Sequence, residues 1–213
     1  MKVVITGASK GIGKAIATAY AADGADLILC ARNEENLNAT VMDLQSQFPS
    51  SNIISKAVDV SKKEQAIVFG NFCIENGPVD ILVNNAGQFL PGEIHHEEDG
   101  ILEKMIETNL YSAYHITRAI IPGMIAKKNG HIFNICSVAS LQAYPNGGSY
   151  SISKFALMGF SKNLREEVKS HKIKVTAVYP GAVLTDSWGN FDNSDNLQAG
   201  QVTKVVQPAS MVL

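Results

Sequence analysis

Tyr150 and Lys154 stand at the two ends of Tyr-Ser-Ile-Ser-Lys, and Ser137 precedes them at the end of an apolar run. On a helix, residues i and i+4 lie one above the other on the same face, so this spacing sets an ammonium beside a phenol. A free phenol titrates near ~10 and is a poor base at neutral pH unless a cation favours the phenolate. Lowering that value by about two to three pH units takes about 3 to 4 kcal/mol of preferential stabilisation of the anion. Lys154 in a dry cleft is expected to supply it. The Tyr-x-x-x-Lys spacing alone also fits a solvated helix face, so its surroundings decide.

A second constellation lies near the start. Thr6-Gly7-Ala8-Ser9-Lys10-Gly11-Ile12-Gly13 follows a short apolar run and precedes a helical pattern. The glycines are spaced GxxxGxG rather than the commoner GxGxxG. The mechanics are the same: absent side chains let the backbone turn tightly and approach a pyrophosphate at a helix N-terminus. At the end of the second apolar run, where an NAD site places an acid for the ribose hydroxyls, stand Ala31 and then Arg32. With Lys10, Arg32 would attract a 2′-phosphate that an acid would repel. The expected cofactor is NADP(H).

These residues need a frame. Apolar runs at 2–6, 26–31, 52–58, 79–83, 131–136 and 173–178 read as strands, and helical periodicity fills 11–23, 34–47, 61–75, 101–128 and 150–169. Ser61 with Glu64 reads as a capping box for the third helix, and Pro122 is the expected kink in the fourth. Alternating strands and helices predict an α/β protein, a doubly wound parallel sheet of Rossmann-like type with ligands at the strands' carboxyl ends. Gly7, Arg32, Asp59, Asn85, Ser137 and Pro180 all fall at such ends.

The 213 residues suit a single domain over 1–213, and 46% hydrophobic with 18% charged residues is ordinary for a globular chain. A net charge of −2 gives no electrostatic reason to expect nucleic acid or an anionic membrane as partner. Cys30, Cys73 and Cys136 form no CxxC pair, and Met1-Lys2 opens straight into a strand, with neither a signal peptide nor a membrane span. A cytoplasmic protein with reduced thiols is expected. His95 and His96 lie in a polar loop at 88–100 without a further ligand pattern, so no metal is assigned.

Thr6 to Gly13, Asp59-Val60, Asn84-Asn85-Ala86-Gly87, Asn109, Ser137, Tyr150-x-x-x-Lys154 and Pro180-Gly181 occur in an order that resembles the short-chain dehydrogenase/reductase family. The resemblance runs from Met1 to about Asp186. It implies that Gly7, Ser9, Lys10, Gly11, Ile12 and Gly13 cradle the cofactor's adenosine and phosphates, and that Arg32 binds the 2′-phosphate. Asp59 and Val60 would flank the adenine, with Asn85, Ala86 and Gly87 lining the ribose side. Pro180, Gly181, Val183 and Thr185 would hold the nicotinamide. Tyr150 would be the general acid in reduction and the base in oxidation, with Lys154 on the nicotinamide ribose. Ser137 would bond the substrate carbonyl, and Asn109 would anchor a water that links Lys154 to bulk solvent. Asparagine is a poor interior helix former, so its place in the 101–128 helix calls for such a reason.

The implied function is transfer of a hydride between the nicotinamide and a small to medium carbonyl or alcohol. Gln142 and Tyr144, in the loop after Ser137, would face the substrate, and the polar stretch 186–206 would form a lid. The family usually continues through a further helix and a seventh strand, which the 213 residues do not include. The alternative this raises is a non-catalytic NADP(H)-binding or regulatory module. A homodimer or higher homo-oligomer through the 101–128 and 150–169 helices is a further implication of the resemblance.

Overall fold

In β1 (Lys2–Thr6), Val3 and Ile5 pack into one apolar cluster and Val4 into another, and all three are fully buried. A strand covered on both faces reads as an unbroken apolar run, as a parallel sheet between helical layers requires. The computed structural model describes residues 1–181. Within them the order is β1, α1 (Gly11–Ala22), β2 (Asp26–Ala31), α2 (Glu34–Gln47), β3 (Ile53–Ala57), α3 (Lys63–Glu75), β4 (Ile81–Asn84) and α4 (Ile101–Ile106). A π-helical turn (Glu107–Tyr111) leads into α5 (Ser112–Lys127), followed by β5 (Gly130–Ile135), α6 (Gly148–Val168) and β6 (Ile173–Val178).

The six strands are all parallel, in the order β3-β2-β1-β4-β5-β6. The order reverses between β1 and β4, which opens a crevice beyond their carboxyl ends. Leu27, Leu29, Val83 and Ile135 join Val3 and Ile5 against Ala17 and Ala21 of α1 and Leu37 and Leu44 of α2. On the other face Ile28, Leu82 and Ile132 meet Phe69 of α3, Ile116 and Ile120 of α5, and Leu164 of α6. Helices α3 and α5 approach so closely that a Cβ on Gly70 would lie 2.4 Å from the Ala119 Cβ.

Two local expectations fail. Ser61 does not cap α3: its hydroxyl donates to Asp59 Oδ1 at 2.7 Å, and the cap position is Lys62, whose side chain makes no capping bond. The 101–128 helix is interrupted at the π turn rather than at Pro122, through which α5 continues. The π turn widens the helix where Asn109 is buried, and π bulges of this kind cluster at functional sites.

Candidate active site

At the end of β1 the chain turns sharply. Gly7 has φ +65° and Gly11 φ +55°, left-handed values that favour glycine. A Cβ on Gly13 would stand 2.2 Å from the Gly7 oxygen, so α1 starts directly against the loop. Asn85 bolts this loop to β4: its Nδ2 donates to the Thr6 oxygen at 2.9 Å and the Gly7 oxygen at 3.1 Å. The Thr6 hydroxyl in turn accepts the Asn85 and Ala86 N–H groups. Asn85 thus serves the cradle itself.

The N-terminus of α1 has no side-chain cap and no acid in its first turn, so its N–H groups stay available to an anion. Ser9 is held by the Thr40 hydroxyl on its carbonyl at 3.0 Å. Lys10 and Arg32 are exposed at the rim, and among the described residues neither makes an ion pair. Asn33, unremarked in the sequence, caps α2 by accepting the Asn36 N–H at 2.8 Å and so fixes the turn after Arg32. A glycine cradle, an uncapped helix start and two unpaired cations fit a phosphorylated dinucleotide. Val60 packs in the core and the Asp59 carboxylate is bonded to Ser61, so both side chains are turned to local structure.

The second half of the crevice is built from β4, β5 and α6. Lys154 is 5% exposed, and its Nζ donates to the Ile135 oxygen at 2.8 Å. Burial pulls its pKa down to about 8, with Cys136 acting weakly the other way. Its Nζ is 5.9 Å from the centre of the Tyr150 ring. The expected fall in the Tyr150 pKa is not found. Burial pushes that phenol up to about 12, opposed by the Ser137 hydroxyl and reinforced by Tyr144 and Cys136. The desolvation that traps the proton on Tyr150 also weakens the charge on the lysine expected to remove it.

Ser137 opens a short 3-10 turn (Val138–Ser140), and its Oγ accepts the Ala139 N–H at 3.2 Å. With that acceptor role filled, its proton is free for an oxygen such as that of Tyr150. Val138 N–H reaches the Pro180 oxygen at 3.0 Å, which joins the Ser137 turn to the end of β6. Gly181 is exposed beside it, while Val183, Thr185 and the 186–206 segment lie outside the described residues.

Asn109 is 1% exposed, and both hydrogens of its amide are spent, on the Gln88 oxygen at 3.0 Å and Ser153 Oγ at 2.8 Å. Its Oδ1 accepts the Gln88 N–H at 2.7 Å. A Cβ on Gly87 would lie 3.1 Å from that Oδ1 and 3.4 Å from Lys154 Nζ, so the bare glycine keeps both groups beside one space.

Three neighbours of Tyr150 escaped the sequence reading. Phe89 meets its ring edge-on, with centroids 4.8 Å apart at 79°. Ser153 links Asn109 to the Tyr150 carbonyl, and Glu97 binds Ser149. All three contacts bridge elements far apart in sequence or use polar types with no motif of their own. Tyr144 is raised by its partial burial, with the Ser151 hydroxyl beside it acting the other way, and Gln142 is exposed. Tyr144 also lines a cleft of about 350 Å³ with Ile94, Ile152 and Phe155. Glu93, His95 and His96 bring ligand atoms within 4.8 Å of one another, all exposed, with His96 Nδ1 at 3.0 Å and His95 Nε2 at 3.8 Å from Glu93 Oε2.

The family model described as short chain dehydrogenase matches residues 1–196. A 3-oxoacyl-[acyl-carrier-protein] reductase from Chlamydia muridarum is 35% identical over 92% of this chain and 78% of its own. An uncharacterized oxidoreductase, YvrD, from Bacillus subtilis is 33% identical over 99% of this chain and 82% of its own. Among solved structures, the L-sorbose reductase of Gluconobacter frateurii complexed with NADPH and L-sorbose superposes with a TM-score of 0.91. It is 31% identical, with 99% of this chain and 86% of that one covered. A short-chain dehydrogenase from Sphingobium yanoikuyae in complex with NADPH gives 0.88 at 27% identity, over 99% and 80%.

Proposed function

The chain belongs to the short-chain dehydrogenase family, whose enzymes act between CH–OH and C=O groups, and from that premise we propose that it is an NADP(H)-dependent reductase of a small to medium carbonyl compound. The observation that carries the reading is the meeting of the Ser137 hydroxyl and the Tyr150 phenol, with buried Lys154 one turn on along α6. Bound NADP(H) supplies or accepts the hydride. Gly7, Ser9, Lys10, Gly11, Ile12 and Gly13 hold its phosphates, Arg32 and Lys10 its 2′-phosphate, and Pro180 and Gly181 its nicotinamide end. The family resemblance assigns Val183 and Thr185, which lie outside the described residues, to that end as well.

Tyr150, protonated at neutral pH because its pKa lies near 12, donates to the carbonyl oxygen as charge develops there. Ser137 gives that oxygen a second hydrogen bond, stronger in the transition state than in the ground state. The proton is replaced through Lys154 and a water held in the space that Gly87 leaves open beside Asn109. In the reverse direction Tyr150 accepts the alcohol proton, which demands a phenolate and hence alkaline conditions. Gln142 and Tyr144 contact the substrate. The three free and buried thiols suit a reducing compartment, the cytoplasm, and α5 with α6 is the face for a homodimer.

The test is consumption of NADPH, with NADH beside it, against a panel of aldehydes and ketones. Turnover that prefers NADPH is the expected result. Tight NADPH binding without turnover on any carbonyl would replace this reading with a binding module.

A further inference from the structure

Helix α6 carries Tyr150 and Lys154, yet its own sequence does not close its N-terminus. Gly147, at the cap position, makes no side-chain capping bond, and the first turn contains no acid. The missing carboxylate comes from Glu97, in the loop between β4 and α4. Glu97 Oε1 accepts the Ser149 N–H at 2.9 Å, and Oε2 accepts the Ser149 hydroxyl. Ser149 immediately precedes Tyr150.

The fit is close on every side. A Cβ on Gly148 would lie 2.1 Å from Glu97 Oε1, and one on Gly92 would lie 2.8 Å from Glu97 Cγ. Gly148 sits at φ +38°, and the Gly92 N–H is bonded to the Asn146 oxygen at 3.1 Å. Two glycines, one on each wall, are therefore needed to admit this one side chain. A carboxylate at a helix start satisfies orphan N–H groups and is favoured by the helix dipole.

The same loop also reaches the ring that the helix presents. Phe89 packs edge-on against Tyr150, and Gln88 is clamped by both ends of the Asn109 amide. The loop thus holds Tyr150 from two directions, its ring through Phe89 and its backbone through Glu97. A proton donor must sit within hydrogen-bond reach of the reacting oxygen, and an error of about 1 Å can cost about 10²-fold in rate.

We propose that Glu97 is a positioning residue for the reduction: its carboxylate fixes the first turn of α6 and thereby the placement of the Tyr150 phenol. This rests on Tyr150 being the acid–base group. The experiment compares Glu97→Ala, Glu97→Gln and Tyr150→Phe by kcat, by NADPH affinity from cofactor fluorescence, and by hydrogen exchange of the 145–155 segment. Glu97→Ala is expected to lower kcat about ten- to a hundredfold. NADPH affinity, governed in this reading mainly by the glycine loop, Lys10 and Arg32, stays as in the wild type, and exchange rises in 145–155 while β1 and α1 stay protected. Glu97→Gln, which keeps an oxygen for the Ser149 N–H, recovers most of kcat and covers the case in which the alanine variant fails to fold.

The proposal is overturned if Glu97→Ala leaves kcat unchanged, or if kcat, NADPH affinity and protection throughout the chain fall together. It is equally overturned if exchange at 145–155 does not change. Full activity in Tyr150→Phe would instead remove the acid–base reading, and the exchange data on Glu97 would still report whether it holds the helix.

Discussion

The two halves of the crevice solve different problems with different materials. On the side of β1 to β3, the groups that would meet a ligand are backbone N–H groups at an uncapped helix start and two exposed cations, Lys10 and Arg32. On the side of β4 to β6, they are side chains taken out of water: Lys154 at 5% exposure, Asn109 at 1%, and a half-buried Tyr150. A backbone donor keeps its polarity wherever the turn places it, whereas a titratable side chain takes its character from its surroundings. The first half is therefore legible from spacing. The second is legible in composition and misread in electrostatics.

The largest effect is expected where burial matters most. Tyr150→Phe should lower kcat by about 10³-fold, within the usual range for loss of a general acid, with NADPH affinity unchanged. A phenol near 12 stays protonated through neutral pH and leaves little phenolate to act as base, so the free enzyme's reduction should run level there while oxidation climbs with alkalinity. Oxidation that is already maximal at neutral pH would place Lys154 in the dominant role that the sequence suggested. Ser137→Ala should cost about 10²-fold in kcat, as loss of one donor to a developing oxyanion does. Because the Oγ also accepts the Ala139 N–H, a loss of stability is expected beside it, of about 1 kcal/mol. Single-turnover rates separate the two.

Next comes the buried cation. Burial holds the Lys154 pKa at about 8 in the folded protein, against 10.5 for a freely solvated lysine. Between those values the unfolded chain binds the proton and the folded chain does not, so stability rises as pH climbs from about 8 to about 10.5. Below about 8 the full penalty applies, on the order of 3 kcal/mol, offset by about 1 kcal/mol for the bond to the Ile135 oxygen. Lys154→Met should therefore be more stable than the wild type by about 2 kcal/mol at pH 7, with the gap closing toward pH 10.5. Urea melts at three pH values measure it, and parallel curves would show that the lysine is better solvated than its burial implies.

What could be read in the sequence follows the same division. The strands, their parallel sense and the glycine turn were legible because each depends on the local pattern of alternating strands and helices or on a residue type with one physical use. The Tyr150–Lys154 pairing was legible as geometry. Its direction of titration was not, because desolvation depends on what covers the helix, and no spacing reports that. Glu97 was invisible for a related reason: its partner Ser149 lies 52 residues away, and Glu97 itself reads as one more acid in a polar loop. The Ser61 cap failed because Asp59, two residues earlier, competes for the same hydroxyl.

The smallest effect tests the exposed half. Arg32 lies at the end of β2, the turn behind it is fixed by Asn33, and it makes no ion pair among the described residues, so its charge is available to a ligand. An exposed charge-assisted bond to a phosphate is screened by salt and stabilises less than a buried one. Arg32→Ala is accordingly expected to weaken NADPH about tenfold, about 1.4 kcal/mol, and to leave NADH untouched. Lys10→Ala should act in the same direction but more weakly, since a flexible ammonium holds a phosphate with less geometric definition than a guanidinium fork. Raising salt should narrow the wild type's preference for NADPH and leave that of the double variant flat. If Arg32→Ala instead lowers NADPH and NADH affinity equally, the cation serves the shared phosphates rather than the 2′-phosphate. The exposed half would then hold the cofactor without choosing it, and the choice between the two cofactors would have to come from the backbone at Ala31 and Asp59.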